Sequence, residues 1–110
     1  MCGFFGITHA SSINPSTIGF CHKLMKIRGR DEVGSWQDLD LDMLLCHNRL
    51  SITGENRKSG EQPIISKCRR YVMVFNGEIY NYLALAEELN IPGFNTNDRS
   101  DLSDTEVFMG

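Results

Sequence analysis

The apolar residues of this chain gather into short runs, and the first of them, GFFGIT from Gly3 to Thr8, begins two residues from the amino terminus. Six residues of aromatic and β-branched character are too few for a helix and predict a buried strand, which anchors an end that usually frays. A second run, YVMVFN from Tyr71 to Asn76, predicts another buried strand. Gly77 closes it just ahead of Ile79, Leu83, Ala86 and Leu89, which recur at helical spacing. Strand, glycine turn and helix together present backbone N–H groups. Upstream, Asn14 and Pro15 mark a helix start, with Ile18, Cys21, Met25 and Arg28 at helical spacing and an end expected near Gly29. Val33 to Gln37 reads as a short strand. Leu39, Leu41 and Met43 alternate with Asp40 and Asp42 ahead of Leu44 and Leu45, which predicts a strand with one wet face.

The segment from Thr53 to Gln62 has almost no apolar side chain and reads as an exposed loop. Ser103, Asp104, Thr105 and Glu106 form the capping-box pattern of a further helix, with only four residues beyond the glutamate. Such a helix is usually there to pack on something further along, so the chain is expected to be part of a longer one. Its 110 residues exclude two domains.

A net charge of -3, with both signs scattered along the chain, leaves no basic stripe for phosphate backbones or anionic lipid. Nucleic acid and membrane are therefore not expected as partners. No apolar run approaches the roughly 20 residues of a spanning helix, and the start lacks the form of a secretion signal, so a cytoplasmic location is expected. Cys2, Cys21, Cys46 and Cys68 then read as free thiols, and the absence of a CxxC pair argues against a metal site.

Cys2 carries the most chemical information. A small residue after Met1 permits removal of the initiator, which would leave one residue holding both a thiol nucleophile and a free α-amine base. Asn76 and Gly77, at the end of an apolar strand, pair an amide with a backbone N–H that can both face a developing oxyanion. Taken alone, Asn-Gly is an ordinary turn dipeptide, but a helical period follows it here rather than a second strand. Arg49, just beyond the apolar residues 44–46, suits bidentate capture of a carboxylate. Singly, Arg49 reads as a solvated charge and Asp104 as a carboxylate at a helix start.

The elements MCGFFGI, RGRD, HNRLSI, QP, FNGEIYNY and SDTEV, in this order and with the first pinned to the terminus, resemble the class II glutamine amidotransferase domain of the asparagine synthetase type. The resemblance covers essentially the whole chain. It implies an α+β fold, the αββα sandwich of two antiparallel sheets of the N-terminal nucleophile hydrolases. Residues 1–110 would be the N-terminal part of that glutaminase domain, with no synthetase domain present.

By the same resemblance, Cys2 is the nucleophile, with Asn76 and Gly77 as the oxyanion hole. Arg49 would hold the glutamine α-carboxylate, Glu78 and Asp104 its α-ammonium, and backbone near Leu50 and Ile52 would line the pocket. Glutamine is the implied substrate, hydrolysed to glutamate and ammonia. A C-terminal synthetase domain of the same protein is the implied partner, using ATP and magnesium to make asparagine. A homo-oligomer is left open, and no cofactor is expected in this segment. A sugar or secondary-metabolite acceptor, or a non-catalytic regulatory or assembly role, are the alternatives. Two departures from the family pattern stand out. Arg30 replaces the usual proline of RGRD, and the lengthened NTNDRSDLSDTEV offers both Asp101 and Asp104, of which Asp104 carries the capping box.

Overall fold

The computed structural model describes residues 2–50, 61–91 and 103–109. It is α+β, with two antiparallel sheets. Strand β1 (Gly3–Thr8) is followed by a 3-10 turn (Ala10–Ser12), helix α1 (Pro15–Met25), and strands β2 (Glu32–Asp38) and β3 (Met43–Arg49). Then come β4 (Ile64–Ile65), β5 (Val72–Met73), α2 (Tyr82–Glu88) and α3 (Asp104–Met109). One sheet has the order β1-β3-β2, and the other pairs β4 with β5. Helix α1 lies against β3, and α3 lies against β4 and α2. Among the described residues, no helix is long and apolar enough to cross a membrane.

Helix α1 starts where the sequence predicts. The Asn14 side-chain oxygen accepts from the Ser16 N–H at 2.9 Å, and Pro15 occupies the first turn, where its missing N–H costs nothing. The helix ends at Met25 rather than near Gly29, and the chain turns back through Lys26 to Arg28. Gly29 serves close approach instead: a Cβ there would stand 2.4 Å from the Asn48 carbonyl oxygen on β3. The predicted wet-faced strand begins only at Met43. Residues 39–42 form the β2–β3 turn, because the Asp38 carboxylate accepts from the N–H groups of Asp40 and Leu41, each at 2.9 Å. Leu39 is consequently 82% exposed.

Strand β1 is an edge strand with alternating exposure rather than a fully buried one. Its inner face joins the core, where Ala10, Leu44 and Cys46 are buried and Phe5, Ile7 and Ile18 pack against them. Beside this core, Asn48 is fully buried, its side-chain oxygen 3.2 Å from His22 Nδ1 and its amide nitrogen donating to the Gly29 carbonyl. The polar pair is therefore satisfied, as burial requires. The 3-10 turn is tied to the β2–β3 hairpin through Asp42, whose carboxylate accepts from the Ser11 N–H at 2.7 Å and its hydroxyl at 2.8 Å. Those bonds hold the Asp42 carboxyl below its ordinary pKa.

Candidate active site

The antiparallel register gathers separate parts of the sequence at one end of the three-stranded sheet. On β3, Asn48 stands opposite Gly3 on one side and Val33 on the other, and Arg49 stands opposite Glu32. Cys2, one residue ahead of β1, therefore lies at the end of the sheet where Arg49 closes β3. Its carbonyl accepts from Arg28 Nε at 3.2 Å. Because side chains alternate along a strand, Leu44, Cys46 and Asn48 face α1, whereas His47 and Arg49 face the segments that carry Gln62 and Phe75.

A cavity of about 160 Å³ at this place is lined by Cys2, Arg49, Gln62, Asn76, Gly77 and Asp104. Five of the eight sequence-derived candidates thus share one wall-to-wall space. Of the other three, Leu50 lines a separate cleft with Ile27, Arg28 and Arg30, Glu78 is exposed and does not line the small cavity, and Ile52 lies outside the described residues. Asp101, the rival to Asp104, also lies outside them.

Asp104 is delivered by its capping box. The Ser103 N–H donates to the Glu106 carboxylate at 3.0 Å, and the Glu106 N–H donates back to the Ser103 hydroxyl at 3.2 Å. The Asp104 carboxylate accepts from the Ile79 N–H at 2.9 Å and from the Thr105 N–H at 2.8 Å, which ties α3 to the chain just after Gly77. Phe75 stacks on Phe108 of α3, with ring centroids 6.4 Å apart. Its ring also covers Gly77, where a Cβ would stand 2.7 Å from it, so the absent side chain leaves room for the ring.

The Arg49 guanidinium bonds Glu32 at 3.1 Å, an ion pair with a half-exposed carboxylate and of modest energetic worth. A guanidinium presents its donors in a planar fork that matches the geometry of a carboxylate. Glu32, Arg49, His47 and Gln62 also line an adjoining cavity of about 330 Å³.

Two polar residues at the site had no role assigned to them from sequence. Gln62 belongs to the QP element and ends the predicted loop 53–62, whose residues 53–60 lie outside the described ones; it is half-buried rather than exposed, and His47 belongs to HNRLSI. The Gln62 side-chain oxygen accepts from the Phe75 N–H at 2.5 Å, and the buried His47 ring lies with Nε2 3.3 Å from the Phe75 carbonyl. Tyr71 to Asn76 is accordingly a two-residue strand followed by side-chain-bonded backbone, not the single buried strand predicted.

Among the thiols, burial pushes Cys46 up to about 11, whereas the Ser66 hydroxyl beside the exposed Cys68 lowers its pKa. Among the described residues there is no group of three or more His, Cys, Asp or Glu able to hold a metal ion.

The family model of the glutamine amidotransferase domain matches residues 1–110. The chain is 37% identical over 90 residues to the probable glutamine-hydrolysing asparagine synthetase of Schizosaccharomyces pombe, an alignment covering 81% of this chain and 16% of that protein. It is 33% identical over 114 residues to glutamine-hydrolysing asparagine synthetase 1 of Bacillus subtilis, covering 99% of this chain and 17% of the relative. With asparagine synthetase B of Escherichia coli it shares 35% identity over 92 residues, covering 80% and 16%. The chain thus spans less than a fifth of the length of these relatives.

Proposed function

This chain belongs to the glutamine amidotransferase domain family, and we propose that it hydrolyses glutamine through an N-terminal cysteine to supply ammonia for amide formation. The observation that carries this reading is the convergence of Cys2, Arg49, Asn76, Gly77 and Asp104 on one small cavity from four separated stretches of sequence.

Removal of Met1 makes the α-amine of Cys2 available as a base. The thiol sulfur adds to the side-chain amide carbon of glutamine, its proton passes to the α-amine, and the carbonyl electron pair moves onto oxygen. The Asn76 amide and the Gly77 N–H hold that oxyanion, an interaction that strengthens only as the charge develops. Collapse breaks the C–N bond, the proton goes to the leaving nitrogen as ammonia, and a γ-glutamyl thioester remains. Water then releases glutamate and restores the thiol. Arg49 meets the substrate α-carboxylate, and Asp104 meets the α-ammonium. Opposite charges thus face each end of the amino-acid moiety.

The ammonia acceptor is proposed to be an aspartate activated with ATP and magnesium in a synthetase domain, in keeping with the names of the relatives. No step of the glutaminase chemistry passes through those groups. The test is ammonia release from glutamine by the wild type and by Cys2→Ala. A loss of about 10³-fold or more on removing the nucleophile is expected. Equal turnover of glutamine and of simple amides lacking the α-carboxylate and α-ammonium would contradict the amino-acid pocket.

A further inference from the structure

Phe75 immediately precedes the proposed oxyanion hole, and both of its backbone polar groups are taken by side chains rather than by a neighbouring strand. Its N–H donates to the Gln62 side-chain oxygen, and its carbonyl lies 3.3 Å from His47 Nε2. Strand β5 has already ended at Met73, so no sheet ladder orients the backbone at this point. A carbonyl can only accept, which assigns the hydrogen to Nε2 of the ring. Burial lowers the pKa of His47 and keeps the ring neutral, so one donor serves the carbonyl without bringing a charge into the interior.

The two holding residues are themselves fixed. His47 lies in the middle of the central strand, paired with Phe4 on one side and Gly34 on the other, and is 1% exposed. The Gln62 backbone carbonyl abuts Gly34 so closely that a Cβ there would stand 1.8 Å from it. Gln62 also lines the Cys2 cavity. The sheet that bears Arg49 therefore reaches across to the segment that bears Asn76 and Gly77.

We propose that Gln62 and His47 are positioning residues for the oxyanion hole, clamping Phe75 from both sides and so fixing the direction of the Asn76 amide and the Gly77 N–H. This rests on the glutamine-hydrolysis reading above and deepens it. Oxyanion donors accelerate a reaction only when already aimed at the position the charge will occupy, and a shift of about 1 Å can cost roughly 10²-fold in rate. Gln62 and His47 touch no reacting atom; their effect passes through the backbone they hold.

The experiment measures kcat, KM and the Ki of an aldehyde analogue of glutamine in the protein and in Gln62→Met, Gln62→Glu and Gln62→Asn. Addition of the Cys2 thiol to that aldehyde forms a carbon–sulfur bond and puts the carbonyl electron pair on an oxygen seated in the hole. Gln62→Met, which removes the acceptor, is expected to lower kcat about tenfold or more and raise the aldehyde Ki in parallel, with KM within about twofold. Gln62→Glu keeps an acceptor oxygen and is expected to restore kcat to within about threefold. In an Asn76→Ala background the same Gln62→Met change is expected to cost no more than about twofold, because the donor being aimed is already gone.

A folded Gln62→Met protein with wild-type kcat and Ki overturns the proposal, as does an equal loss on both backgrounds. If Gln62→Met does not fold, Gln62→Asn, which draws the acceptor back by one methylene, is read by the same criteria. An inactive wild type defeats the glutamine reading instead. The clamp is then judged by hydrogen exchange at the Phe75 amide: faster exchange in the variant supports it, and unchanged exchange overturns it.

Discussion

Replacing Gly34 with alanine tests whether β2 and the Gln62 backbone are held at the separation on which the site depends. Gly34 lies on β2 opposite His47, and a Cβ built on it would stand 1.8 Å from the Gln62 carbonyl oxygen and 2.9 Å from its carbonyl carbon. The first distance is about 1.6 Å short of the 3.4 Å at which ordinary contact begins, and both atoms are backbone, so no side-chain rotation relieves the clash. Overpacking of this kind costs about 1–3 kcal/mol. In a domain of this size each kcal/mol lowers Tm by roughly 4–8 °C. Relief requires Gln62 to retreat by about the distance at which an oxyanion hole loses roughly 10²-fold in rate. Thermal unfolding and steady-state glutaminase kinetics measure the two effects together. Gly19 on α1 is the control, since a Cβ there meets nothing within 4 Å and Gly19→Ala should stabilise the helix by about 0.5–1 kcal/mol. A Gly34→Ala protein with the Tm and kcat of the wild type would refute the close approach of β2 to Gln62.

Four further outcomes are expected. Asp104→Asn should raise the glutamine KM by about tenfold or more, the worth of a hydrogen bond between charged groups, while Asp101→Asn leaves it within about twofold; the reverse pattern would reassign the acid. With a pKa of about 11, Cys46 holds only about 10⁻³ of its thiol ionised at pH 8, so competitive alkylation with peptide mapping should find it far slower than the exposed Cys68. The raised pKa also sets a sign: its contribution to stability is complete below the ordinary thiol range and is lost as pH rises from about 9 through about 11, so Tm should fall across that window. Ser103→Ala removes half of the capping box and should cost about 0.5–2 kcal/mol by denaturant titration, and an unchanged midpoint would contradict the box.

Local chemistry explains which parts of the fold were legible in the sequence. The Asn14-Pro15 start and the Ser103–Glu106 box are self-contained, since each cap meets backbone two or three residues away, and both form as read. The Leu39–Asp42 alternation misled because a period of two says nothing about Asp38, whose carboxylate folds the segment into a turn. Gly29 resembled a helix stop, yet its smallness is required by β3, which arrives some twenty residues later. The run from Tyr71 to Asn76 looked like an ordinary strand because its true partners, Gln62 and His47, stand 13 and 28 residues away in sequence.

The candidate site divides along the same line. Cys2, Arg49, Asn76, Gly77 and Asp104 were nameable because a nucleophile, a cation, neutral donors and an acid each suit one part of an amino-acid substrate, and the family words fix their places. Glutamine and histidine carry no such signature. Their role at Phe75 becomes visible only when the register of β3 and the close approach at Gly34 bring them to it.

The central claim is that Cys2 is a processed nucleophile facing a glutamine pocket. Intact-protein mass spectrometry before and after exposure to an electrophilic glutamine analogue, with peptide mapping, tests it most directly. The expected result is a species lacking Met1 that gains one adduct on Cys2 and is protected by excess glutamine. A folded protein lacking Met1 that gains no adduct, or gains it on Cys21, Cys46 or Cys68 without protection by glutamine, would contradict the claim.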